Sequence, residues 1–255
     1  MKIFAIGINT AREAIRNRIL YSILFFAMLV VAISAVFGAA SIGDQMKFVK
    51  DFSLMSISLF GVIIAIVLGV NLLHQELGKK TIVNILSKPV ARWEFMVGKF
   101  AGLVVTLGLI LTLMCTALIG FLYLLEREVD WGLVLAGGVA FIEVTVVIAV
   151  ALFFSALVVT PTLAGLFTAA TFIAGRSSSY LTYFLSDEHS PAVQTIASVL
   201  SWVLPRLDRF NVSEQIVYGD RLDVSYLATV LVYALAYASV LLLLSIGLFS
   251  RREFT

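Results

Sequence analysis

Charge is what this sequence has least of. Of its 255 residues only 13% are Asp, Glu, Lys or Arg and 61% are hydrophobic, giving a mean hydropathy of +1.04. A soluble globular domain carries about 25% charged and about 45–50% apolar residues, so this composition excludes one and fits a polytopic membrane protein. Cysteine is nearly absent: Cys115 sits in an apolar run without a partner in the chain. That excludes a disulfide framework and a cysteine-based metal site. Catalytic signatures are missing as well. HQEL at His74 fails the HExxH spacing and no GxSxG occurs, so an intramembrane hydrolase is not expected. LGKKT at Leu77–Thr81 resembles the tail of a phosphate-binding loop. The glycine required five residues before Gly78-Lys79 is Leu73, however, and Lys80 stands where Ser or Thr is needed. The chain therefore has no P-loop and is not expected to be an enzyme. If ATP drives it, the nucleotide and its magnesium belong to another subunit, and no cofactor is expected on this one.

What the sequence does have is apolar length. About 20 apolar residues cross the hydrocarbon core as a helix. Six runs qualify: 19–40, 52–73, 100–125, 131–160 broken only by Glu143, 161–185 broken by Arg176, and 224–250. The fourth and fifth meet at Thr160-Pro161 without a charged loop, where proline stops one helix and starts the next. Residues 1–18 carry Lys2, Arg12, Arg16 and Arg18 and are expected to form an amphipathic helix at the membrane surface. The 22-residue uncharged run after them is too long for a signal peptide's apolar core. The expectation is an all-α polytopic membrane protein, one transmembrane domain over 1–255. Its basic residues, counted in short loops, put both termini and the segment 74–99 in the cytoplasm. The segment 186–223 then lies outside. Within it Pro191–Pro205 is apolar but too short to span, and is expected to rest on the outer leaflet or cap the bundle.

Few polar residues lie inside the spans. A carboxylate at the depth of Glu143 is costly, so it must face the bundle interior, find a partner or be protonated. It is a candidate point on a translocation path, and equally a carboxyl that bonds a neighbouring helix. Arg176 is expected to end its span early or to snorkel to the outer surface, without a chemical role. Gly98 and Gly102 form a GxxxG, and Gly137-Gly138 is a second small pair; both suit close helix packing. Asn211-Val212-Ser213 fits a glycosylation sequon, a short pattern that means little by itself.

The exception to all this apolar sequence is His74–Lys99, HQELGKKTIVNILSKPVARWEFMVGK, a charged, helix-capable stretch between two spans. It must face water, and its mixed charge suits a soluble partner. Glu76, Thr81-Ile82, Leu86-Ser87-Lys88-Pro89, Arg92, Glu94 and Gly98-Lys99 match an ordered pattern. It resembles the loop between spans two and three of ABC-2-type transporter permeases. Lys79-Lys80 departs from the Gly-Thr pair common there. Within the family the chain is most similar to the permease that helps mature the copper site of nitrous-oxide reductase. The resemblance implies six spans, a dimer of permeases (homo- or heteromeric) in the lipid, and two copies of a separate ATP-binding subunit. It also implies that the loop, with Lys80 and Thr81 in it, couples the two. Glu76 and Arg92 would contact the ATPase, Glu94 and Lys99 would hold the loop to the bundle, and Pro89 would divide it into two short arms. No nucleic-acid partner is expected. Two other functions stay open: a stand-alone transporter or channel using Glu143, and a scaffold that moves nothing.

Overall fold

A computed structural model describes residues 2–40, 45–78, 91–127, 130–181, 183, 191–218 and 223–251. All regular structure among them is helical. In chain order the helices are α1 (Lys2–Ile15), α2 (Arg18–Ala40), α3 (Gln45–Gly78), α4 (Arg92–Glu126) and α5 (Gly132–Leu157). They continue with α6 (Pro161–Arg176), the single turn α7 (Ser178–Leu181), α8 (Pro191–Val203), a 3-10 turn (Leu207–Phe210), α9 (Ser213–Val217) and α10 (Val224–Arg251).

Four of these, α3, α4, α5 and α10, are long and apolar enough to cross a membrane. The α1–α2 pair, bent by 62°, makes a fifth if it is taken as one broken span. At the break the Asn17 side chain accepts a hydrogen bond from the Ile19 N–H at 3.0 Å, capping α2. The apolar run 161–185 behaves differently. Its helix α6 has 16 residues, about 24 Å at 1.5 Å per residue, against a hydrocarbon core of about 30 Å. It begins with Pro161 in its first turn, where a missing N–H costs nothing. It stops where Arg176 and three serines follow.

Helix α5 is the centre of the bundle. It is apolar on all sides and packs against α3, α4, α6 and α10. Lipid tails are as apolar as leucine, so burial alone does not bring such helices together; close van der Waals packing does. Small residues make it possible. The face of α10 turned inward carries Ala234, Ala238 and Ser245, while Val232, Leu235, Leu243 and Leu244 point away from the protein. A Cβ added at Gly69 of α3 would meet Ala151 of α5 at 2.9 Å. One added at Gly137 of α5 would meet the Cys115 sulfur of α4 at 2.6 Å.

Two ends of the bundle can be told apart by what crosses them. The end that holds Gly78 and Arg92, and so flanks the charged segment, also holds α1 and the last turn of α10. The far end holds the Lys50–Asp130 ion pair at 3.2 Å. There the space left by the short α6 is filled by the chain from Pro205 to Ile216. Leu207, Phe210, Val212 and Ile216 are buried in it against α3, α5 and α6. Pro191–Pro205, expected as a helix that rests on the outer leaflet or caps the bundle, is mostly the helix α8; the segment after it does the capping. The approach is close, since a Cβ on Gly175 would lie 2.5 Å from the Pro205 carbonyl oxygen.

Candidate functional site

Two groups of polar residues stand out, one at each end. At the charged-segment end, Arg92 is the first residue of α4. Its guanidinium donates to the carbonyl oxygens of Phe249 at 3.2 Å and Ser250 at 2.6 Å. The last carbonyls of any helix lack intrahelical donors and carry the negative end of its dipole, so a guanidinium there satisfies both needs. One turn along, Phe95 stacks on Phe249 at 5.7 Å between ring centres. Glu94 accepts from the Ala91 N–H at 2.9 Å and so caps its own helix.

Lys99, the next group up α4, is buried and pairs with Glu13 of α1 at 3.6 Å. Around it α1 comes into backbone contact with α4. A Cβ on Gly98 would lie 2.8 Å from Ile6, and one on Gly102 would lie 2.5 Å from the Gly7 carbonyl oxygen. The GxxxG is thus the seat of the amphipathic N-terminal helix. His74, near the end of α3, has its ring nitrogens 3.1 and 3.3 Å from the carbonyls of Val70 and Val158, which brings the end of α5 to the same place.

Of the residues expected to couple to an ATPase, Arg92, Glu94 and Lys99 are gathered at the foot of α4, each engaged within this chain. Glu76 lies in the last turns of α3. Lys80, Thr81 and Pro89 fall outside the described residues, as does the side chain of Glu76.

The second group is deeper. Glu143, on α5, is buried, and its carboxylate accepts from the Ser58 hydroxyl of α3 at 2.8 Å and from the Arg176 guanidinium. Arg176, the last residue of α6, therefore turns inward to Glu143 and does not snorkel away from the bundle. That corrects its expected lack of a role and supplies the second charge that Glu143 lacks in the sequence. Three helices meet at this triad, and the capping segment closes over it. A cavity of about 20 Å³ remains between them, lined by Ser58, Glu143, Arg176, Asn211 and Ser213 among others. That is room for roughly one water-sized group.

The arrangement offers charge and hydrogen bonds, not nucleophilic or metal chemistry. No cluster of three or more His, Cys, Asp or Glu that could hold a metal occurs among the described residues. The larger apolar groove between α4 and α5, about 410 Å³, is lined by Gly108, Thr112, Cys115, Gly137 and Phe141. The hydroxyl of its Thr112 is already bonded to the Gly108 carbonyl.

Comparison with known proteins agrees with this picture. Residues 4–254 match the family described as ABC-2 family transporter protein. No curated protein matches the chain.

Proposed function

We propose that this chain, which belongs to the ABC-2 family of transporter proteins, is the membrane-spanning permease subunit of an ATP-binding-cassette transporter. The observation that carries the proposal is the match itself, which runs over residues 4–254 and so takes in every helix described above. ATP and magnesium would bind on two copies of a separate ATPase subunit, and a second permease copy would complete the complex. In this reading α6, with the capping segment above it, counts as the fifth of six crossings. Both termini and the charged segment face the cytoplasm of a prokaryotic cell, and the cap faces outward. Membership of the family makes export the favoured direction, and the resemblance to the permease of the nitrous-oxide reductase maturation system is kept as the finer reading.

The coupling loop is assigned to His74–Lys99. Glu76, Lys80, Thr81 and the outer face of Arg92 would meet the ATPase, and Pro89 would divide the loop into two arms. The clamp at the foot of α4 supports this assignment. A push on the segment that ends at Arg92 is delivered at once to α4, to α1 through Lys99 and to the end of α10. Exposed ion pairs are worth little singly, so the force must travel through this packed foot. Glu143 is less suited to run a stand-alone transporter, because Arg176 and Ser58 already occupy both of its oxygens.

Purification in mild detergent from the native membrane tests the proposal. A nucleotide-binding protein should accompany the chain and be lost when Glu76→Ala is combined with Arg92→Ala. A chain that purifies alone, yet moves a solute across liposomes, would overturn it in favour of the Glu143 transporter. A chain that purifies alone and moves nothing would make it a scaffold.

A further inference from the structure

We infer that α10 is a connecting rod. Arg92 and Phe95 fix it at the charged-segment end, three of its tyrosines hold the cap at the other end, and the cap controls access to Glu143 and Arg176. The inference rests on the proposed function only for what would drive the rod; the linkage itself stands on contacts within this chain.

The first joint is the clamp already described. Arg92 bonds two carbonyls at the end of α10, and Phe95 stacks on Phe249. Both bonds come from one guanidinium nitrogen, Nη1, whose two N–H groups reach successive carbonyls. The rod is 28 residues long, about 42 Å as an α-helix. Along its inner face, between Val230 and Phe249, it presents Ala234, Ala238 and Ser245 to the bundle, small side chains that let it lie close to its neighbours as one straight element.

The second joint is a row of hydroxyls. Tyr233 and Tyr237 stand seven and eleven residues after Tyr226, which places all three on one face of the helix. The Tyr226 hydroxyl donates to the Arg209 carbonyl at 2.6 Å, and that of Tyr237 to the Val203 carbonyl at 3.0 Å. The Tyr233 hydroxyl accepts from the Arg206 N–H at 2.9 Å. Three hydroxyls spread over about three turns of α10 are thus tied to the backbone of one short segment, 203–209. Side-chain packing adds one ring contact to this joint, Phe210 against Tyr233 at 6.5 Å between centres. A cavity of about 380 Å³ lies beside it, lined by Arg209, Phe210, Tyr226 and Thr229 among others, and leaves the cap room to shift against the rod.

The cap is also latched to the bundle. The Ser178 hydroxyl donates to the Asp208 carboxylate at 2.6 Å, and Phe210 and Val212 are buried beside Glu143 and Arg176. Pulling on 203–209 would lift the residues that close the cavity over that pair. Arg92 and the three tyrosines are positioning residues in this scheme. They act through α10 and touch nothing that is carried.

The test uses the chain's single cysteine to advantage. In a Cys115→Ser background, Ala140→Cys places a thiol in the lining of the small cavity beneath the cap. Its rate of reaction with a charged maleimide is measured on the purified chain in detergent. Changing Tyr226, Tyr233 and Tyr237 together to Phe removes three hydrogen bonds and little else, and should speed labelling at least tenfold. Arg92→Met, at the opposite end, should change the rate at least threefold, whereas Trp93→Ala, an exposed neighbour, should leave it unchanged. An unchanged rate in the triple Phe variant would overturn the cap joint. An unchanged rate in Arg92→Met, with the tyrosine result positive, would overturn the rod. In the complex with its ATPase, nucleotide should shift the labelling rate in the parent and not in the triple Phe variant, which leaves every residue assigned to the ATPase contact unchanged. Failure to recover any ATPase counts against the proposed function alone, because the first arm needs no partner.

Discussion

Arg176 and Glu143, 33 positions apart, form an ion pair in which the carboxylate is buried and the guanidinium is about a quarter exposed. One comes from the end of a helix too short to cross the membrane and the other from the helix at the centre of the bundle. The pair therefore explains why α6 can end inside the protein: its last residue has a partner there. Breaking a buried pair from one side costs about 3–5 kcal/mol, because the other charge is left unpaired. Arg176→Met and Glu143→Gln should each lower the detergent unfolding midpoint clearly, the partial exposure of Arg176 keeping the cost near the lower figure. The double variant should recover part of the loss. If the two single losses simply add, no coupling exists between the residues. Glu143→Gln should still bring down the ATPase, which separates this role from proton coupling.

Gly137 and Gly138 are adjacent on α5 but differ in surroundings. A Cβ at Gly137 would lie 2.6 Å from the Cys115 sulfur, whereas nothing lies within 4 Å of one at Gly138. Gly137→Ala should cost about 1–3 kcal/mol through overpacking. Gly138→Ala should be neutral or stabilise by about 0.4–1 kcal/mol by restricting the unfolded backbone. Thermal unfolding of the two variants side by side decides it, and equal effects would mean that α4 and α5 are not in this contact.

The seat of α1 makes a third prediction. With Ala at position 102 the new carbon would stand 2.5 Å from the Gly7 carbonyl oxygen, a distance no backbone tolerates. Helix α1 should leave α4, and trypsin should cut after Arg12 and Arg16 much faster than in the parent. Cutting at the parent rate would show that α1 does not depend on the glycine seat.

Asp223 precedes the first turn of α10 and is fully exposed. Hydrogen bonds from the Ser225 hydroxyl at 2.6 Å and the Ser225 N–H at 3.3 Å hold its carboxyl below the usual aspartate value. A lowered value means that the charged form is favoured in the folded state. The cap therefore contributes fully above the ordinary aspartate range and fades as pH falls through its own lower value. The protection of the Ser225–Leu227 amides, relative to their intrinsic exchange at the same pH, should fall on acidification across that window, and Asp223→Ala should show the lower protection at every pH.

Much of this was open to reading from the sequence. Uncharged runs of 22 or more residues announced helices of membrane length, and the GxxxG announced a close packing contact. The partner of that contact was not legible. Gly98 and Gly102 receive α1, and spacing within one helix cannot say which helix faces it. The same limit hid the Glu143–Arg176 pair. Helix α5 is apolar all round and so has no periodicity to show which face holds the carboxylate, and Arg176 lay at what looked like the margin of a span. The serines after Arg176 were the available sign that α6 stops there. For the capping segment the signal was weaker still. Leu207, Phe210, Val212 and Ile216 are too few and too irregularly spaced to mark a buried surface until α6 is known to be short.

The clamp at the foot of α4 also has a consequence for assembly. Arg92 is made early, yet the carbonyls it binds belong to residues 157 and 158 positions further on. Chains are synthesised from the N-terminus, and their parts fold as they emerge. During synthesis α1 can find its seat on α4 as soon as Gly102 has appeared, but the guanidinium must wait for the end of α10. Arg92 thus joins two segments made far apart in time, and the rod is fixed at that end only once all of α10 has emerged.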